Sequence, residues 1–154
     1  MSYDFLIQIA ADGAMIPIIL IGAYALIFKV PKGQRLQSYS LVLMAGLTAY
    51  LMAKLIGSIY QPYGLRPFEL AGTTAGALFL NNPGFPSDHI LFATVLTCAV
   101  WFITKQKTIT WIMIALVVTV GVGRVLALVH TPIDVIGGVL IALVGALWYL
   151  NAKR

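Results

Sequence analysis

The chain has 154 residues, of which 60% are hydrophobic and 10% charged, with a mean hydropathy of +0.95. Soluble domains carry about 25% charged residues, so this composition excludes one and reads as a single integral membrane domain over residues 1–154. The net charge of +5 does not describe a nucleic-acid surface, because the basic residues fall between apolar runs, where topology signals lie.

The N-terminus, MSYDFLIQ, lacks the basic region of a secretory signal peptide, so the first apolar segment is expected to be kept as a span. That segment runs over 5–28 and is interrupted by Asp12 and Gly13. Either 2–12 lies at the membrane interface and 14–28 spans, or one tilted helix runs throughout. Lys29, Lys32 and Arg35 make a short basic loop. Residues 36–60 form the second span, long enough to cross a ~30 Å hydrocarbon core, with Lys54 near its far end. Residues 61–86 are the longest non-spanning region, with prolines at 62, 67, 83 and 86, and 69–80 reads as a short interfacial or re-entrant helix. The third span is 87–104, closed by Lys105 and Lys107. The fourth runs from 108 to about 129. The fifth is 132–150, followed by Lys153 and Arg154. Cys98 is the single cysteine and lies inside an apolar run, where core packing is its expected role.

The expected fold is therefore all-α, a polytopic bundle of about five transmembrane helices. Lys29, Lys32, Arg35, Lys105, Lys107, Lys153 and Arg154 all fall on one side. They are seven of the ten basic residues, and the positive-inside rule makes that side cytoplasmic. The N-terminus is then outside, the C-terminus is cytoplasmic, and the protein sits in the cell membrane. The remaining cations, Lys54, Arg66 and Arg124, fall on the outer side, as do His89, His130, Asp88 and Asp134.

Those outer residues carry the candidate chemistry. In Arg124-x5-His130-x3-Asp134 the histidine and carboxylate are one helical turn apart and can face each other. A carboxylate beside an imidazole fixes its tautomer and stabilises its cation. Arg124 adds a planar donor fork suited to phosphate. The same stretch also reads as a helix start, with Thr131 as N-cap, Pro132 at the first helical position and Asp134 as capping-box partner. On these residues alone both readings stand. Ser87, after Pro86 and before a long helix, reads as another N-cap. The free amides of its first turn, including those of Asp88 and His89, would bind an anion, which places Asp88 with the phosphate-binding residues and its carboxylate directed away. Three cations and two imidazoles at one membrane face suit phosphoryl transfer without a metal. One histidine attacks phosphorus and the other protonates the leaving oxygen. No metal and no other cofactor is expected, since three cations oppose a divalent ion and no H-x-x-x-H or cysteine cluster is present.

Three pieces, Lys54…Arg66-Pro67, Pro86-Ser87-Asp88-His89 and Arg124-x5-His130-x3-Asp134, resemble in order the type 2 phosphatidic acid phosphatase superfamily of integral membrane lipid phosphatases. The resemblance covers residues 54–134. It implies that His130 is a nucleophile forming phosphohistidine, that Asp134 orients it, and that His89 protonates the leaving group. It implies that Lys54, Arg66, Ser87 and Arg124 bind phosphate, and that the partners are a lipid phosphate and membrane lipids. PSDH in place of the commoner PSGH resembles the bacterial branch that hydrolyses undecaprenyl pyrophosphate. The alternatives within the class are phosphatidate and phosphatidylglycerophosphate phosphatases. Outside it stands a non-catalytic lipid-binding or transporter-like bundle. Two further departures are visible. Eleven residues separate Lys54 from Arg66 where the family usually has six, and a straight helix would leave the two about 120° out of face. The family also usually has six spans.

Overall fold

The computed structural model describes residues 3–82 and 84–151, so Pro83 and the basic pair Lys153 and Arg154 lie outside the described residues. Among the described residues, five apolar helices and one short α-helix make up the bundle. Helix α1 is Tyr3–Phe28, α2 is Arg35–Ile59, α3 is the short Pro67–Leu70, α4 is Asp88–Thr104, α5 is Lys107–Leu126 and α6 is Pro132–Asn151. Among the described residues there is no strand.

The first segment is one continuous helix, with a single wide π-type turn at Ile9–Gly13. A 26-residue helix is about 39 Å long, enough to cross a bilayer with tilt. Of the five apolar helices, four are 18 residues or longer; α4 has 17, about 26 Å, at the lower limit for a span. The expected helix over 69–80 does not form. Helix α3 stops at Leu70, and Gly72 follows with a φ of +64°. The backbone amides here bond across the molecule instead of up a helix, Phe68 to the Leu128 carbonyl and Gly76 to the Ala127 carbonyl. Helix α5 ends at Leu126, three residues before the expected end. Leu128 turns back with a φ of +57°, and the Arg124 carbonyl accepts both the Val129 and His130 amides at 3.3 Å.

Small residues set the packing. Ala45, Ala49 and Ala53 form a one-turn stripe on α2, each 2% exposed or less. Gly145 of α6 faces this stripe, where a Cβ would fall 2.9 Å from the Ala49 Cβ. Such stripes let helix backbones approach closely in a membrane, where van der Waals contact drives association. Helix α4 lies centrally, against α1, α2, α5 and α6. A second close approach is at Gly123 of α5, where a Cβ would fall 2.5 Å from the Ala11 amide nitrogen and 2.7 Å from the Ala10 carbonyl carbon. Only glycine lets the π turn of α1 lie against α5 here. Because successive helices alternate in direction, the loops 60–87 and 127–131 share one end of the bundle. The loops holding Lys29, Lys32 and Lys105 share the other.

Candidate functional site

The site is built at the end formed by loops 60–87 and 127–131. A cavity of about 230 Å³ opens there, lined by Arg66, Asp88, His89, Arg124 and His130, with Asn82 and Pro86 beside them and Met15, Leu80 and Phe92 as its apolar wall. Residues from all three sequence motifs thus meet in one place.

The spacing of Arg124 and His130 has a local cause. Arg124 lies in the last turn of α5, and its own carbonyl accepts the His130 amide, so the turn closes six residues on. His130 is 4% exposed and Asp134 5%. The His130 Nδ1 is 3.6 Å from the Asp134 Oδ2, outside hydrogen-bond range, and has no other partner. The same Oδ2 accepts the Thr131 amide at 2.7 Å, and the Thr131 hydroxyl accepts the Asp134 amide at 3.3 Å. The capping box and the His–Asp pair therefore coexist in a single carboxylate. The helix start holds the carboxylate 3.6 Å from the imidazole. Burial lowers the His130 pKa from the ordinary histidine value; Asp134 opposes that shift, while Arg124 and Arg66 add to it.

Arg66 is 7% exposed, and its guanidinium is a clamp. Its Nη1 donates to the Val129 carbonyl at 2.7 Å. Its Nη2 donates to the Leu80 and Asn82 carbonyls, each at 3.1 Å, and to the Asn82 Oδ1 at 2.9 Å. Burial lowers the Arg66 pKa, with Asp134, Glu69 and Asp88 acting the other way. The Glu69 carboxylate caps the Arg66 amide at 2.6 Å and so starts α3. Arg66 thereby ties the 80–82 loop to the residue preceding His130.

Lys54 reaches this site at one remove. Helix α2 runs straight past it to Ile59, and the chain then doubles back through Gly64, whose φ is +66°. The Lys54 Nζ pairs with the Asp88 Oδ1 at 3.2 Å, and the Asn82 Nδ2 donates to the Asp88 Oδ2 at 3.0 Å. Lys54, Asp88, Asn82 and Arg66 form one chain of polar contacts. Asp88 is thus explained as an acid at a helix N-terminus, engaged by a lysine and an amide.

Ser87 precedes the first residue of α4 as expected, but its hydroxyl makes no capping hydrogen bond. Its amide donates to the Asp134 carbonyl at 3.0 Å, which draws the residue inward until it is fully buried. The Ser87 Oγ and the Arg124 Nε are both buried and without a partner. Unpaired buried polar atoms are costly, and here they belong to two residues that the family resemblance implies for phosphate binding.

Two residues at this site escape the sequence reading. Asn82 bridges Arg66 and Asp88; an asparagine in a Pro/Gly-rich loop carries no signal above turn formation. Asp12 is the other. Its Oδ1 is 2.7 Å from the Arg124 Nη1 and 4.0 Å from the His89 Nε2, and its Oδ2 accepts the Leu78 amide at 2.9 Å. A lone carboxylate inside an apolar span was the available signal. Among the described residues no group of three or more His, Cys, Asp or Glu side chains gathers as a metal-ligand set.

Comparison with known proteins adds the following. The PAP2 superfamily model matches residues 36–154. The bacitracin transport permease protein BcrC of Bacillus licheniformis is 29% identical over 123 residues, which cover 78% of this chain and 57% of that protein. The chain therefore spans a little over half the length of that relative. No solved structure matches.

Proposed function

The chain belongs to the PAP2 superfamily, a family of membrane phosphatases, and from that premise we propose that it hydrolyses a lipid phosphate at the outer membrane face through a phosphohistidine. The observation that carries this reading is the cavity itself, where His89, Arg66, Arg124 and His130 converge. The proposed sequence has two halves. The Nε2 of His130, the ring nitrogen turned away from Asp134, attacks phosphorus. The P–O bond to the leaving group breaks, its electron pair goes to the leaving oxygen, and His89 supplies the proton. Water then attacks the phosphohistidine, its proton passes to His89, the P–N bond breaks and phosphate is released. Arg124, Ser87 and the first-turn amides of α4 stabilise charge on the phosphoryl oxygens, and Lys54 acts through Asp88.

Undecaprenyl pyrophosphate is the substrate this reading favours, with the monophosphate as product. The PSDH form of the second motif supports it. An apolar groove of about 680 Å³ supports a lipid of some length. It lies between α2 and α4, is lined by Leu43, Leu47, Leu91 and Val95, and shares Leu80, Asp88 and Phe92 with the cavity. The name of the relative, a transport permease, favours a transporter-like bundle as the second reading.

One assay separates them. The purified chain is given polyprenyl pyrophosphate, polyprenyl phosphate, phosphatidate and phosphatidylglycerophosphate in detergent with a chelator, and phosphate release is followed. Fastest release from the pyrophosphate, abolished in His130→Ala, is expected. Release fastest from a glycerophospholipid moves the substrate within the class. No release from any of the four leaves the transporter reading.

A further inference from the structure

We propose that Asp12 is a positioning residue of the active site, so that the first span contributes to catalysis. The inference rests on the phosphatase reading above. It goes beyond the family pattern, because the family match begins at residue 36 and Asp12 lies ahead of it.

Three observations meet at this carboxylate. First, Asp12 is the ion-pair partner of Arg124, whose side chain is 1% exposed. A buried guanidinium without a counter-charge is strongly unfavourable, so Asp12 keeps Arg124 in the cavity wall. Second, Asp12 and Arg124 grip the backbone of the same residue from both sides. The Leu78 amide donates to Asp12, and the Leu78 carbonyl accepts from the Arg124 Nη1 at 2.7 Å. This holds the loop that brings Leu80 and Asn82 to the cavity. Third, the Asp12 Oδ1 that binds Arg124 also stands 4.0 Å from the Nε2 of His89. His89 needs a proton to give, and a carboxylate beside it stabilises the imidazolium.

The other charged or titratable groups around His89 are Arg124 on α5, His130 after it, and Asp88 on its own turn. Asp88 is already engaged by Lys54 and Asn82. Asp12 is therefore the carboxylate that answers Arg124 at this histidine. The site then holds two His–Asp pairs, with Asp134 behind the nucleophile and Asp12 beside the acid. Asp12 transfers no proton itself.

The local backbone is shaped for this contact. Asp12 sits in the π turn Ile9–Gly13, which re-aims one side chain relative to a regular helix. Gly123, next to Arg124, is the position where α5 admits the backbone of that turn. Both features lie where the Asp12–Arg124 bond forms.

The test uses the full chain in detergent, with a long-chain alkyl monophosphate and an activated aryl phosphate as substrates. An alkoxide leaving group needs the acid, whereas a phenolate of low basicity leaves without it. Asp12→Asn should raise KM on both substrates alike, through Arg124. It should lower kcat on the alkyl substrate about tenfold more than on the aryl one, a fraction of the ~10²- to 10⁴-fold that a general acid commands. Asp12→Glu, with the charge displaced by one methylene, is measured beside it and should show the same selectivity in smaller degree. If Asp12→Asn is not recovered folded, the selectivity in Asp12→Glu decides. An equal kcat loss on both substrates, or none on either, overturns the role of Asp12 alone. A wild-type chain that releases phosphate from neither of these nor from polyprenyl pyrophosphate overturns the phosphatase reading and this inference with it.

Discussion

Replacing Arg66 with lysine keeps the positive charge and removes the planar fork. The fork is what the structure uses. Four contacts leave two nitrogens, at 2.7 Å to Val129, 3.1 Å each to the Leu80 and Asn82 carbonyls, and 2.9 Å to the Asn82 side chain. A lysine ammonium is one compact point with three donors and a shorter reach. It can keep the 80–82 side or the Val129 side, and not both. Losing one hydrogen bond from a charged donor costs about 1.5–3 kcal/mol, and a buried carbonyl left unpaired adds to that. A total of roughly 3 kcal/mol is a large share of the ~5–15 kcal/mol that holds a domain folded. For a chain of this length it corresponds to a melting point lower by about 6–12 °C. Catalysis should suffer separately, because Val129 precedes the proposed nucleophile. A displacement near 1 Å at a reacting group can cost about a hundredfold in rate. Arg66→Lys should therefore lower kcat by at least about tenfold on alkyl and aryl phosphates alike. The checks are thermal unfolding in detergent and steady-state kinetics on both substrates. A lysine variant that melts within about 2 °C of wild type and turns over normally would show that Arg66 acts only as a charge.

Asp134→Asn should cost more than about a hundredfold in kcat, as expected when an imidazole loses the group that orients it, yet only about 1 kcal/mol of stability through the weakened cap, read by kinetics and melting together. The buried His130 imidazole, its pKa held below the ordinary value near 6.5, should stay neutral and nucleophilic through pH 6.5, so kcat/KM on an aryl phosphate should fall only at more acid pH; an acid limb at or above 6.5 contradicts the burial argument. The sign for stability is the same: below about pH 6.5 the unfolded chain binds this proton more readily than the folded one, so the melting point should drop as pH falls. Gly123→Ala should reproduce the leaving-group selectivity of Asp12→Asn, since the added methyl forces the π turn away from Arg124. A chelator should leave turnover within about tenfold of its untreated value, or about 1.4 kcal/mol of barrier.

What was legible in the sequence is what depends on short separations. The His130–Asp134 pair, the Ser87 helix start and the order of apolar spans each follow from residues within a turn or a segment of one another. The two readings of Thr131–Asp134, cap or catalytic pair, do not exclude each other, because the carboxylate that caps Thr131 also faces His130 at 3.6 Å. The Lys54–Arg66 spacing departs from the family, yet it needs no distortion of α2. Gly64 turns the chain, and Asp88 and Asn82 carry the connection. The contacts that were not legible join distant parts of the chain. Asp12 and Arg124 are 112 residues apart, and Arg66 and Val129 are 63 apart. No periodicity couples such positions. They are set by Gly123 and by the loop 71–82, whose hydrogen bonds run to the end of α5 instead of along a helix.

The charges alter the picture of a bare cationic pocket. Lys54 meets Asp88, Arg124 meets Asp12, and Arg66 is saturated by carbonyls and flanked by Asp134. Three cations thus stand against three aspartates, an arrangement far cheaper to keep at a membrane end than uncompensated charge. An incoming phosphate would then find little free positive charge. It would find two donors that no protein group shares, the Arg124 Nε in the last turn of α5 and the Ser87 hydroxyl at the N-terminus of α4. Orientation, more than net charge, is what such a site offers to charge developing in the transition state. On the proposed function, Asp12 and Asp88 hold the cations in place before substrate arrives, and the two unpartnered donors are the contacts proposed for its oxygens.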